Sequence, residues 1–210
     1  LRGMQVTLQD QSPESIAPAI KRAAKLFKKK LKKPYLITEA LDRISPDTNG
    51  QGVRSADVII EAVFENCEVK QQIFKQVEAD AKPGAIIATN TSSIPLEDIA
   101  SVLQQPNRLI GIHFFNPVAL MPLVEIVHSD QTSEELVAQA AVFVKSIARS
   151  PLPVLSSPGF LVNRVLMPYL GEAMKLFEEG VDKQAIDKAA VAFGMPMGPI
   201  ELADKVGLDV

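Results

Sequence analysis

The sequence has one cysteine, Cys67, and two histidines, His113 and His128, among 210 residues. A lone cysteine builds no disulfide framework, and with so few thiol and imidazole donors no Cys/His zinc site is expected. A reducing compartment is the simpler reading. An excess of one charge is missing as well. Lys and Arg number 22 against 25 Asp and Glu, for a formal net charge of -3, so no overall field draws the chain to nucleic acid. No apolar run approaches the ~18 residues that a membrane-spanning helix needs. The opening L-R-G-M-Q-V carries no signal-peptide core. It starts at Leu1 rather than methionine, and the ending G-L-D-V has no terminal character; both lead us to expect a longer parent polypeptide. Residues 1–20 contain no Gly-rich phosphate loop.

Hydrophobic residues make up 47% and charged residues 22% of the chain, a balance that belongs to folded rather than disordered proteins. Residues 4–9 read as a short strand ending at Asp10, and residues 12–33 as a helix. Its apolar positions Ile16, Ile20, Ala24, Phe27 and Leu31 fall at helical spacing, and Pro34 stops it. Lys21, Lys25, Lys28, Lys29 and Lys32 lie on the outer side, as a solvated face or as an attraction for substrate phosphates. Residues 57–63 form a nearly continuous apolar run, predicting a strand covered on both faces. A helix follows from about Glu68 to Ala81, with Val69, Ile73, Val77 and Ala81 on one face. Further strands are predicted over 85–89, 109–114 and 152–155. Between the last two, Thr132 and Glu135 have the spacing of a capping box ahead of Leu136, Ala140, Phe143 and Ile147. Strands alternating with helices of this length predict an α/β fold with a mostly parallel sheet.

After Ser157 the pattern becomes helical throughout. One long helix is expected from Phe160 to about Glu179, ended by Gly180. A second is capped by Asp182 and stops at Gly194, and a third opens at Pro199 and ends before Gly207. A domain boundary near 156 follows, dividing the chain into residues 1–156 and 157–210.

The polar residues at the ends of the apolar runs carry the chemistry. Asp10, at a strand end, could accept hydrogen bonds from ribose hydroxyls or be an ordinary loop acid. Glu61-Ala62-Val63-Phe64-Glu65-Asn66 and Asn90-Thr91-Ser92-Ser93 each follow a strand, where cofactors lie in open α/β sheets. The second stretch could instead cap the short helix from Leu96 to Ala100. His113 ends a third strand beside an Asn-Pro turn. Glu125, flanked by Val124 and Ile126, needs a donor if it is desolvated, and His113 is the most plausible local one. A Glu–His pair fixes the imidazole tautomer, as a general base requires. His128 has no such partner and reads as surface. Asn163 lies near the start of the first helix after the boundary, between core-like Val162 and Val165. It is either a buried amide or a group facing a cleft.

The segments A-D-V-I-I-E-A-V-F-E-N, A-T-N-T-S-S-I, H-F-F-N-P, L-V-E-I-V, S-P-G-F-L-V-N-R and M-G-P-I-E-L-A-D-x-V-G-L-D together resemble the L-3-hydroxyacyl-CoA dehydrogenase family, over most of residues 57–210. The wording is nearest to the dehydrogenase part of bacterial multifunctional fatty-acid β-oxidation proteins. The resemblance implies a Rossmann-like sheet without its first strand and Gly-rich loop, then a small, incomplete helical domain for substrate and dimerisation. It implies NAD-dependent oxidation of L-3-hydroxyacyl-CoA to 3-ketoacyl-CoA, with His113 as base, Glu125 as its orienting carboxylate, and Ser92 and Asn163 at the substrate 3-oxygen. Asp10, Ala62, Glu65, Lys70 and Asn90 are the implied NAD contacts, and no metal is implied. The 210 residues alone are expected to bind NAD poorly and to be inactive without the missing strand. Implied partners are an acyl-CoA, a second copy or an internal partner domain, and an enoyl-CoA hydratase region on the same polypeptide. The implied location is the cytoplasm of a bacterium, or the mitochondrion or peroxisome of a eukaryote. A related enzyme of free β-hydroxyacids and a non-catalytic structural relative of the same fold remain alternatives.

Overall fold

Five strands form the main sheet, in the order β3-β4-β5-β6-β7. They run Val58–Glu61, Ile86–Thr89, Leu109–Phe114, Leu123–His128 and Ser150–Leu155. Pairing is parallel except between β5 and β6, which run antiparallel with His113 opposite Glu125. The computed structural model describes residues 1–206. A second, two-stranded parallel sheet pairs β1 (Val6–Gln9) with β2 (Ile44–Asp47) and shares no hydrogen-bonded strand with the first.

Two apolar layers sandwich the main sheet. On one face Phe74, Val77, Ile87, Leu96, Ile99 and Leu109 pack with Val127 and Phe160. On the other, Ile86, Ala88, Ile110, Ile112, Val124 and Ile126 meet Ala140 and Val144 of α5 (Glu134–Ser146). The central strands alternate between these layers, as the period of two dictates. Gly111 of β5 pairs with Val127 of β6, and a Cβ there would come within 2.6 Å of Val127 Cβ.

Several expectations are corrected. The first helix, α1, spans Pro13–Lys30 with Ser12 as its cap, and Pro34 then opens another helix, α2 (Pro34–Asp42). Neither α2 nor β2 was predicted. The β3 strand is not covered on both faces. It is the outer strand of its sheet, and Ile60 is exposed. In α3 (Cys67–Asp80) the buried face is Lys70, Phe74 and Val77, while Val69 is exposed. The cap of α5 is Ser133, whose hydroxyl accepts from Leu136 N, rather than Thr132, which bonds Ser129. His128, read as surface, is half-buried at the end of β6.

Beyond β7 the described residues hold only helices: α6 (Val162–Glu178), α7 (Lys183–Phe193) and α8 (Pro199–Val206). Phe160 is outside α6, in a left-handed conformation at φ 48° that a helix excludes. Asp182 caps α7 by accepting from Gln184 N and Ala185 N, and Gly194 stops it at φ 119°. Asp187 of α7 receives the Ile200 amide at 2.8 Å, which fixes the start of α8. Gly207, expected to follow α8, lies outside the described residues.

Candidate active site

His113 and Glu125 are register partners on adjacent antiparallel strands, so their side chains leave the sheet on the same face. His113 Nδ1 lies 2.8 Å from Glu125 Oε2. Glu125 is 0% exposed, and His113 is buried as well. Glu125 Oε1 accepts two backbone N–H groups, from Leu161 at 3.0 Å and Val162 at 2.8 Å. These amides open α6, where unpaired donors and the helix dipole favour an anion. One carboxylate thus joins the sheet to the first helix of the C-terminal segment.

The turn before α6 makes this join. Gly159 and Phe160 adopt positive φ, 75° and 48°, which aims the next two amides at Glu125. Glycine takes this conformation freely, whereas a phenylalanine there stores strain of about 1–2 kcal/mol. The Phe160 ring is buried and meets the His113 ring edge-on at 5.6 Å, with Phe115 at 4.6 Å from the same imidazole.

Burial pushes the Glu125 carboxyl upward. The hydrogen bonds from His113, Val162 and Leu161 outweigh it, and the net result lies below the ordinary carboxylate value. Glu125 is therefore ionised at neutral pH. An ionised carboxylate only accepts, so His113 Nδ1 carries a proton, and in a neutral imidazole the lone pair is then on Nε2.

A second cluster crowns the carboxyl ends of β3 and β4. Glu65 Oε1 accepts the Thr91 hydroxyl, the Ser92 amide at 2.8 Å, the Ser92 hydroxyl at 3.2 Å and the Ser93 amide at 3.2 Å. Its other oxygen lies 3.3 Å from Lys70 Nζ. Burial raises the Glu65 carboxyl, but the Thr91 and Ser92 bonds and Lys70 bring it below the ordinary value. Asn90 Oδ1 accepts from Phe114 N at 2.9 Å, linking this crest to the residue after His113.

The structure therefore places the sequence-predicted residues in three groups. His113 and Glu125 meet directly, and Asn163 follows the Val162 amide that Glu125 holds. Ser92, Glu65 and Lys70 form the second group, with Asn90 bridging toward β5 and Ala62 exposed just after β3. Asp10 stands apart at the end of β1; one of its oxygens accepts from Gln11 N at 2.7 Å and its side chain faces solvent. Val165, expected to be core-like, is 69% exposed. Asn90 to Ser93 do not cap the short α4 (Leu96–Ala100), whose first amide bonds the Ser156 hydroxyl.

Sequence reasoning missed the part played by Glu61, Thr89 and Phe160. The available signal was an acid ending an otherwise apolar strand, V-I-I-E.

Comparison with known proteins fits this geometry. Residues 1–157 match the model of the 3-hydroxyacyl-CoA dehydrogenase NAD binding domain, and residues 159–210 that of the C-terminal domain. The chain belongs to the 3-hydroxyacyl-CoA dehydrogenase family. It is 42% identical to the fatty acid oxidation complex subunit alpha of Pseudomonas aeruginosa, over all of this chain and 30% of that protein. Among solved structures it is similar to Mycobacterium tuberculosis FadB2, with a TM-score of 0.93 and 33% identity over 99% of this chain and 76% of the other. It is also similar to the 3-hydroxybutyryl-CoA dehydrogenase of Escherichia coli K12, with a TM-score of 0.92 and 37% identity over 99% of this chain and 45% of that one. The chain thus spans under a third of the curated relatives it matches. The family's fold, a mostly parallel Rossmann-like sheet followed by helices, is the one described above.

Proposed function

We propose that the protein oxidises the 3-hydroxyl of an L-3-hydroxyacyl-CoA to a ketone with NAD, as a step of fatty-acid β-oxidation. The observation that carries this reading is the buried Glu125 carboxylate, which holds His113 Nδ1 and leaves Nε2 free to accept a proton.

The residues present suit the cofactor in two places. The exposed Asp10 carboxylate ends a parallel strand, where it can accept a pair of ribose hydroxyls. Ala62, Glu65 and Asn90 follow the ends of β3 and β4, the usual position for a nicotinamide in such sheets, and Lys70 of α3, buried behind them, holds Glu65. When bound, NAD supplies the hydride acceptor. His113 Nε2 takes the hydroxyl proton, and Glu125 stabilises the imidazolium that forms. Ser92 and Asn163 hydrogen-bond the substrate 3-oxygen. For this the Ser92 proton, now directed toward Glu65, turns to the substrate.

In this reading residues 1–156 carry the cofactor and residues 157–210 close over the substrate. Exposed Val165, Met167, Phe177 and Phe193 give the helical segment an apolar surface, suited to a second copy or to another domain of the same polypeptide, such as an enoyl-CoA hydratase region. The bacterial relatives support a cytoplasmic location. No described helix is long and apolar enough to cross a membrane.

The test is an NADH-oxidation assay on the full-length protein with acetoacetyl-CoA and with free 3-keto acids. The proposal expects turnover of the thioester. Turnover of the free acids alone would contradict it.

A further inference from the structure

Glu61 is the last residue of β3, and its carboxylate is buried. It takes no part in the proton path through His113, yet it ties β3 to β4 through Thr89 and to α3 through Lys70. Glu61 Oε1 accepts from Val63 N at 2.6 Å and from Lys70 Nζ at 2.8 Å, and Oε2 accepts from Thr89 Oγ1 at 2.7 Å. Lys70 is 1% exposed and has two acidic neighbours, Glu61 and, at 3.3 Å, Glu65. Beyond Glu65 lie the amides and hydroxyls of Ser92 and Ser93. The contacts form one chain, from Thr89 through Glu61, Lys70 and Glu65 to Ser92.

A buried ion pair is a poor device for stability, because an apolar pair of similar volume stabilises a core as well or better. What a pair with satisfied hydrogen bonds does supply is a fixed geometry. We infer that Glu61 is a positioning residue, which sets the place of the Ser92 loop through Lys70 and Glu65. With Glu61 neutral, Glu65 is the one acidic partner left to Lys70. The ammonium then moves toward Glu65, and the Glu65 carboxylate turns away from the Ser92 and Ser93 amides. Ser92 shifts with them. A displacement of order 1 Å at a reacting centre can cost about 10²-fold in rate.

The inference rests on the dehydrogenase reading above, and the experiment separates the two. If the unmodified full-length protein turns over no 3-hydroxyacyl-CoA, that reading fails. If it turns over substrate and the Glu61 variant matches it, this inference fails.

The experiment compares Glu61→Gln, Lys70→Met and the double variant in the full-length protein, with kcat and KM measured per folded molecule. Glu61→Gln is expected to lower kcat by roughly tenfold or more and to change the KM for acyl-CoA by less than about threefold, the mark of an interaction lost from the transition state. The double variant is expected to be no slower than the slower single variant, because both changes cut the same chain. A Glu61→Gln protein with a lowered Tm and unchanged kcat, or single effects that multiply in the double variant, would overturn the inference. Should Glu61→Gln not fold, Thr89→Val keeps the ion pair and the core volume while releasing Glu61 Oε2 and the longer 3.3 Å contact from the Thr91 amide. It is expected to lower kcat by at least about threefold at unchanged KM, and full activity would overturn the proposal.

Discussion

Glu125 stands directly across an antiparallel pair from His113 and holds its Nδ1 at 2.8 Å, while its second oxygen takes two amides at the start of α6. His113, the proposed base, and the helix that carries Asn163 are thereby located by the same side chain. Glu125→Gln keeps the shape but removes the charge and puts an NH2 group among donors. We expect kcat to fall by roughly 10²–10⁴-fold, the usual range for general-base catalysis. Stopped-flow and steady-state assays of the full-length variant check this, and a loss below about tenfold would contradict it.

Acid should act on stability through the same group. Glu125 and Glu65 both lie below their ordinary value of 4.5. A lowered folded value means that the stabilisation is complete above the unfolded value and is lost as pH falls through the folded one. Denaturant midpoints should therefore be flat above about pH 5 and drop below it. The drop should be shallower in Glu125→Gln than in the unmodified protein, and equal slopes would contradict the account.

Gly111 tests the spacing between the strands that carry the pair. An added Cβ would come within 2.6 Å of Val127 Cβ, on an adjacent strand two residues from His113 and Glu125. Gly111→Ala should destabilise the fold by about 1–3 kcal/mol, as overpacking does. It should also lower activity beyond the loss of folded protein. Thermal unfolding and an assay per folded molecule read the two effects separately.

At Phe160 backbone strain and side-chain burial pull in opposite directions. At φ 48° a glycine pays no Cβ penalty, yet the ring is buried against His113. Loss of a buried phenylalanine costs about 3–5 kcal/mol, more than the strain it relieves. Phe160→Gly should thus be less stable by calorimetry, and a gain in stability would contradict the packing described.

Much of this was legible in the sequence, for physical reasons. An acid between Val124 and Ile126 needs a donor once it is desolvated, and the sequence offered His113 as the most plausible one. Asp182 and Gly194 bounded α7 because capping is local chemistry. By contrast β2 reads I-S-P-D, with no apolar alternation, and exists through its pairing with β1. The burial of Lys70 was not visible from spacing, because helical periodicity assigns a lysine to the wet face. Its place depends on Glu61, nine residues away on a strand. The exposure of β3 depends on which strands lie beside it, a tertiary fact that its apolar run does not encode.

The most direct measurement is the rate of His113→Ala in the full-length protein, with circular dichroism to show that the fold is kept. The account predicts a kcat lowered by about 10²-fold or more, with substrate binding largely retained. Activity within about tenfold of the unmodified protein would show that another group takes the proton.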